Sequence, residues 1–352
     1  MHVHKIMELG LPLKSEIMNN IEKLKSQYKV IIWGFKPNEH GIYKNTIGYV
    51  WNGFYRGFKA LGFETHWFSD EDYDPNADYS NCIFIVEAWD SNKIPINDTS
   101  IYYVHCAYDP AKYVGKVKKF VDMRYNQKFM NHPNYVFVRN KDEDIKLGPC
   151  CYYQESTNKV IHLKNGHIDY DVDDFDKIYT NWATDLLPEE MSEDDIYLER
   201  ENLIVFLGTI YSDQYTNIPE LQEFAQVCKT NNVDFLVNPY SYGSDQISVN
   251  DYIANYKRSL FGLDLRGKDN RETGYIPCRV FKNASYGLLS TTNSEEVYKE
   301  MDGHCVYSSS VTQMFYDAME KRSDFEFVKK SFNYVRENHT YMNRCTDMLK
   351  IL

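Results

Sequence analysis

The feature that most constrains this chain is an alternation of short apolar runs with amphipathic stretches, and it occurs twice. In the first half, Val30-Ile31-Ile32-Trp33 reads as a strand, followed by a polar loop from Gly34 to Asn45. Apolar residues then recur at Val50, Phe54, Phe58 and Leu61, a spacing that puts them on one helix face. Gly62 is the stop signal. Thr65 to Phe68, Cys82 to Val86, Ile101 to Cys106 and Tyr135 to Val138 read as further strands. A second series opens at Leu203-Ile204-Val205-Phe206-Leu207. Strands Val233–Val237, Leu260–Leu265 and Leu288–Thr291 then alternate with helices Pro219–Lys229, Val249–Arg258, Pro277–Tyr286 and Ser294–Met301. Alternation of this kind predicts mostly parallel, doubly wound α/β sheets. Such sheets bind ligands beyond the carboxyl ends of their strands.

At 352 residues the chain is too long for one comfortable core and suits two such lobes. Residues 141 to 200 are polar and acidic, with Asp169 to Asp176 and Pro188 to Asp195 as the densest runs, and the interlobe region falls around 180 to 198. The expected lobes are residues 1–190, joined by a C-terminal helix at about 335–352, and residues 198–334. The tail, Ser310 to Leu352, reads as two or three helices.

The formal net charge of −12 argues against broad binding to nucleic acid or anionic membrane, since both need a basic surface. The chain shows no apolar leader and no run long enough to span a bilayer, which predicts a cytoplasmic protein without an integral membrane segment. Its eight cysteines lack metal-type spacing and read as reduced thiols. The 30 Tyr and 19 Phe read as core packing rather than stacking platforms. Neither series carries Gly-x-Gly-x-x-Gly after its first strand, and no Gly-x4-Gly-Lys-Ser/Thr occurs, which disfavours dinucleotide oxidoreductases and P-loop phosphotransferases. Asp171-Val172-Asp173 lies in the acidic linker and reads as solvated charge, so no metal is expected.

Against this acidic background, Leu265 to Lys282 stands out. It holds Arg266, Lys268, Arg271, Arg279 and Lys282 against Asp269 and Glu272, starting at a strand's carboxyl end and running into a helix start at Pro277. Guanidinium forks and unpaired helix N–H groups both favour an anion, and a diphosphate is the natural guest. A cation as early in a helix as Arg279 is locally unfavourable, which also points to an anion beside it. The fourth strand ends in Val104-His105-Cys106-Ala107-Tyr108-Asp109, where a His and an Asp could act as general base and orienter. The loop after the first strand offers His40, Lys44 and Asn45.

Here the residues resemble a family. Arg279-Val-Phe-Lys-Asn-Ala-Ser-Tyr-Gly287 with Leu288-Leu-Ser-Thr-Thr-Asn293 is similar to the donor-site helix and strand of GT-B glycosyltransferases. His339-Thr-Tyr-Met-Asn-Arg344 and Phe206-Leu-Gly208 resemble the ending and the donor-lobe opening of family-1, spore-maturation-type (CgeB-like) members. The resemblance covers about residues 200 to 345 and departs at Lys282 and Ser290, where the family often carries Glu. It implies two Rossmann-like lobes facing a cleft, with the final helices crossing back to the N-terminal lobe. It implies metal-independent transfer of a sugar from a nucleotide-diphosphate donor to a glycan or other hydroxyl acceptor, with no cofactor. The expected donor residues are Gly208, Thr209, Arg266, Lys268, Arg279, Lys282, Asn283 and Thr291. The expected acceptor residues are Lys44, Asn45 and Tyr108, and the expected catalytic residues are His105, Asp109 and His40. Two rival readings share this plan: a degenerate protein that binds sugar nucleotide or glycan without turnover, and a sugar-nucleotide epimerase.

Overall fold

The computed structural model describes residues 15–36, 46–88, 91–105, 107, 112–124, 152–154, 159–161, 163–164, 167–168, 176–208, 210, 216–238 and 249–352. Contacts divide the chain into two units. One comprises Asn19–Lys36 and Gly62–Asn181, here the N-terminal unit; the other comprises Met1–Met18, Pro37–Leu61 and Trp182–Leu352, here the C-terminal unit.

The N-terminal unit is a Rossmann-like α/β sheet. Helix α1 (Ser15–Gln27) leads into β1 (Lys29–Trp33). The further strands are β2 (Thr65–Phe68), β3 (Cys82–Glu87), β4 (Ile101–His105), β5 (Lys119–Arg124) and β6 (Asp176–Tyr179). They form one six-stranded sheet in the order β6-β5-β4-β3-β1-β2, and every pairing is parallel. The order reverses between β1 and β3, which makes their carboxyl ends the topological switch point where such sheets take ligands. The register sets Glu87 beside His105 and His105 beside Met123 at that edge.

Two strands differ from the sequence expectation. Lys119–Arg124 is a strand although its three charged residues break the apolar run that marks a buried strand. Asp176–Tyr179 pairs as the edge strand although it ends an acidic stretch; Lys119 Nζ meets Asp176 Oδ2 at 2.8 Å across that edge. The expected strand Tyr135–Val138 lies outside the described residues. Among the described residues, the β3–β4 and β4–β5 connections contain no α-helix. Rings cover that face of the sheet instead. Phe84 stacks on Tyr102 at 4.6 Å and Tyr113 on Phe120 at 5.2 Å, with Trp33, Tyr79 and Ile94 in the same cluster. Side chains hold the turns that deliver these rings: Asp74 Oδ1 accepts from Asn76 N (2.9 Å) and Asn97 Oδ1 from Thr99 N (2.9 Å). The abundant Tyr and Phe here do the covering that helices do in an ordinary crossover.

The C-terminal unit takes in α2 (Thr46–Ala60), which the sequence alone assigns to the first lobe. Val50, Phe54 and Phe58 are fully buried on it, as their spacing predicts, and Gly62 ends the turn beyond it at φ 90°. Then follow β7 (Leu203–Leu207), α3 (Ile218–Thr230), β8 (Asp234–Asn238), α4 (Val249–Arg258) and β9 (Gly262–Asp264). Next come α5 (Lys268–Thr273), α6 (Arg279–Ser285), β10 (Ser290–Thr292), α7 (Glu295–Glu300) and β11 (Val306–Tyr307), before three final helices. β7 pairs with β8, and β9 with β10 and β10 with β11, all parallel. Leu260 N donates to Leu203 O at 2.8 Å, which brings the start of β9 alongside β7. Alternation along β7 splits the core. Ile204 and Phe206 enter one cluster with Phe224, Phe261 and Phe281, and Leu203, Val205 and Leu207 enter another with Tyr252, Tyr256 and Tyr286.

The final helices are α8 (Val311–Lys321), α9 (Phe325–Asn338) and α10 (Tyr341–Leu349). The His339-to-Arg344 stretch proves to be the joint that docks α10. Thr340 caps α10: Asn343 Oδ1 accepts from Thr340 N (2.9 Å) and Thr340 Oγ1 (2.6 Å). Tyr341 lies over Gly53 and stands edge-on to Phe54 at 5.0 Å; a Cβ at Gly53 would overlap its ring. One turn on, a Cβ at Gly57 would come within 2.9 Å of Cys345 Sγ. Two glycines four residues apart thus open the groove on α2 that receives α10. Arg344 donates to Asn338 O (3.0 Å) and His339 Nδ1 (2.9 Å), while His339 stacks on Phe281 at 4.2 Å. Burial, with Arg344 beside it, holds the imidazole well below its ordinary pKa and therefore neutral.

Candidate functional site

The carboxyl ends of β7 and β9 gather three of the expected donor residues around a carboxylate that the sequence did not single out. Asp264, the last residue of β9, is fully buried. Its Oδ2 accepts from Thr292 Oγ1 at 3.0 Å. Its Oδ1 lies 3.3 Å from Arg279 and 3.8 Å from Arg266. Arg279 also donates from Nε to Leu207 O (2.8 Å) and lies over the Phe206 ring at 4.4 Å. Gly208 makes that approach possible, because a Cβ there would overlap the Arg279 guanidinium. Gly208 therefore serves the arginine directly. The anion expected beside a cation this early in a helix is met in part from within: Asp264 Oδ1 lies 3.3 Å from Arg279, and the Leu207 carbonyl accepts from Arg279 Nε.

Arg266 is different. Its backbone is clamped: Arg266 N donates to Asn293 Oδ1 (2.8 Å), and Arg266 O accepts from Asn293 Nδ2 and Arg271, both at 3.0 Å. Arg271 is itself held by Glu220 at 3.0 Å. The Arg266 side chain is only 6% exposed and lies over Tyr275 at 5.1 Å. Yet its guanidinium is no nearer than 3.8 Å to Asp264, beyond hydrogen-bonding range, and its buried Nε meets no acceptor. Among the described residues two guanidinium groups share one carboxylate, which leaves a surplus positive charge and an unmet donor, Arg266 Nε. Buried polar groups in that state are rare in folded proteins.

The other expected donor residues lie elsewhere. Lys268 is a surface residue whose nearest carboxylate is Glu272 at 3.7 Å. Lys282 is buried, 3.2 Å from Asp185, with its ammonium 4.1 Å from the Tyr49 ring and 4.5 Å from Tyr252. Tyr49 hydrogen-bonds Cys278, and Tyr286 reaches Asp185 at 3.4 Å. Burial pushes the Tyr49 and Tyr252 phenols well up and the Cys278 thiol up, so these three groups stay neutral. Asn283 packs over Gly262, where a Cβ would overlap it, and Thr291 Oγ1 donates to Gly262 O (3.0 Å). Both residues are interior supports of β9 and β10. Thr209 lies outside the described residues, as do His40, Lys44, Asn45, Tyr108 and Asp109.

In the N-terminal unit, His105 ends β4 with its Nδ1 2.9 Å from Glu87 Oε2, and both side chains are buried. Asp122 is also fully buried. It accepts from Arg124 Nε (2.5 Å) and Ala107 N (3.1 Å). Burial pushes the Asp122 carboxyl up, and Arg124 pulls it back down. A cavity of about 130 Å³ lined by Ala88, Ser91, Val104, Ala107, Lys112 and Tyr113 sits on the same edge. Lys112 Nζ donates to Ser91 O there at 2.6 Å.

Sequence reasoning passed over Glu87, Asp122 and Asp264. One signal was available for Glu87 and Asp264: each is an acid that terminates a run otherwise apolar, at the strand end where ligands bind. Among the described residues, no three metal-type side chains converge and no helix is long and apolar enough to cross a membrane. Comparison with known proteins gives no relative: no family model matches the chain, and no curated protein matches it.

Proposed function

We propose that this chain is a glycosyltransferase of the GT-B type, with the C-terminal unit binding the diphosphate of a nucleotide-sugar donor. The observation that carries the reading is Arg266: a buried guanidinium on a clamped backbone, without a hydrogen-bond acceptor, at the carboxyl edge of a parallel sheet. Such a group is set in place before its ligand arrives. It can give a phosphate bidentate, charge-assisted hydrogen bonds without the entropy of ordering a long side chain. Arg279, 3.3 Å from the same carboxylate, supplies a second cation. In a transfer reaction these groups stabilise the charge that grows on the departing diphosphate. On this reading they take the part a divalent ion plays elsewhere, the acceptor is a glycan or other hydroxyl compound, and the protein works in the cytoplasm.

The direct test is calorimetry with a panel of nucleoside diphosphates, with and without chelator. Binding that survives chelator and falls about 10- to 100-fold in Arg266→Ala supports the reading, the scale expected for losing a charge-assisted hydrogen bond. Binding that needs manganese, or that ignores Arg266, overturns it.

A second reading has its own support. The two positions where the resembled family often carries Glu are committed internally: Lys282 to Asp185, and Ser290 Oγ to Val280 O at 2.9 Å. A protein that binds sugar nucleotide without turnover would show this. Donor hydrolysis separates the two, since a binder releases no free sugar.

A further inference from the structure

The end of β10 holds the end of β9 through its side chains. The ladder between the two strands stops at the pair Asp264 and Thr292. One residue further on, a single side chain continues it. Asn293 Oδ1 accepts from Arg266 N (2.8 Å), and Asn293 Nδ2 donates to Arg266 O (3.0 Å). A backbone N–H only donates and a carbonyl only accepts, so among side chains of this shape only the amide serves both. Asn293 is 1% exposed, so water does not compete for either bond. Its neighbour Thr292 donates to Asp264 Oδ2 at 3.0 Å. Arg271 gives Arg266 O a second hydrogen bond at 3.0 Å and is itself anchored by Glu220. The main chain of Arg266 is thus held at both of its polar groups, while its buried Nε has no acceptor among the described residues. A buried donor left without an acceptor costs folding free energy. For a ligand the combination is useful. The direction in which the side chain leaves the backbone is fixed beforehand, so less ordering entropy is lost when an anion binds.

We propose that Asn293 is the positioning residue for Arg266: from the neighbouring strand it fixes the root of the arginine, and through it sets the affinity of the C-terminal unit for a diphosphate. This rests on the diphosphate reading above. Asn293 touches no ligand, and no bond is made or broken at it. Its effect passes through Arg266 and not through Arg279, whose guanidinium has its own anchor in Leu207 O.

The test is a double-mutant cycle in the full chain, titrated with pyrophosphate. Asn293→Ala should weaken binding about 10-fold in the wild-type background and less than about 2-fold in Arg266→Ala, the pattern of residues coupled by direct contact. In Arg279→Ala the loss of about 10-fold should persist, because that arginine is anchored separately. A residue that only supported the fold would lower affinity alike in every background. A second readout needs no ligand. In nitrogen-15 relaxation of arginine-labelled protein, the Arg266 Nε–H should be as rigid as folded backbone, with an order parameter of about 0.85, and should fall below about 0.6 in Asn293→Ala. The Arg279 Nε–H should not change. Should Asn293→Ala fail to fold, Asn293→Asp fills the same space. It keeps the bond to Arg266 N and loses the one to Arg266 O, and the cycle subtracts its added charge, which acts in both backgrounds. Equal losses with and without Arg266, or an Arg266 Nε–H as rigid in the variant as in wild type, would each overturn the proposal. If wild type binds neither pyrophosphate nor any nucleoside diphosphate, the diphosphate reading fails instead, and the rigidity of Arg266 still decides whether Asn293 positions it.

Discussion

The two units end their parallel sheets differently. At the edge of the N-terminal sheet each buried acid among the described residues has a hydrogen-bond partner within 3 Å: Glu87 has His105 at 2.9 Å, Asp122 has Arg124 at 2.5 Å. At the edge of the C-terminal sheet one acid, Asp264, stands between two arginines at 3.3 and 3.8 Å. Both edges are buried, so the difference is one of balance. Ion pairs taken out of water are tolerated when geometry and hydrogen bonds compensate the desolvation. The N-terminal edge meets that condition internally, apart from one Glu87 oxygen. Among the described residues, the C-terminal edge keeps one cation more than its acids neutralise, and Arg266 is the group left over.

The largest expected effect falls on the residue that holds the cationic edge together. Asp264→Ala leaves two buried guanidinium groups without their carboxylate and should cost about 3–5 kcal/mol in urea unfolding. Adding pyrophosphate should return part of that loss, since a ligand of the folded state stabilises it by mass action. A variant as stable as wild type would show that Asp264 is not the centre of the site.

The next effect separates the two arginines. Arg279→Ala removes a hydrogen bond to Leu207 O and the nearer partner of Asp264, and should lose about 1–3 kcal/mol of stability. Arg266→Ala removes no hydrogen bond from its side chain and should stay within about 1 kcal/mol of wild type. Equal losses in the two variants would erase the distinction drawn between them.

These differences mark what the sequence could and could not show. Periodicity placed Val50, Phe54 and Phe58 on a buried helix face, and strand β7 and helix α4 fall where the residue pattern put them. Those elements depend on local spacing, which one sequence carries. The basic character of Leu265 to Lys282 was also legible, but which of its cations has a partner was not. Asp185 reaches Lys282 from 97 residues away in the chain, and Leu207 reaches Arg279 from 72 away. Only the fold decides that Lys282 is satisfied and Arg266 is not. Strand β5 was missed for a related reason. Its Asp122 and Arg124 look like surface charges until the fold pairs them inside.

The smallest effect tests the balanced edge. Burial raises the Asp122 carboxyl above its ordinary range against the pull of Arg124, so the folded chain holds that proton more firmly than the unfolded chain. The stability this group contributes is therefore complete below the ordinary carboxyl pKa of about 4. It is lost as pH rises through the folded value. Asp122→Asn cannot titrate, and its melting temperature should vary less with pH from about 4 upward. A pH profile parallel to wild type would show that the Asp122–Arg124 pair offsets the burial in full.

The central claim is that the cationic edge of the C-terminal sheet is an anion site built around Arg266. Calorimetric titration of wild type and Arg266→Ala with pyrophosphate and with nucleoside diphosphates, paired with thermal melts, tests it most directly. The account predicts a variant that melts close to wild type and binds diphosphate about 10- to 100-fold more weakly, the range for one lost charge-assisted contact. A variant that melts far lower while binding diphosphate as wild type does would contradict it, and would make Arg266 a part of the fold rather than of the site.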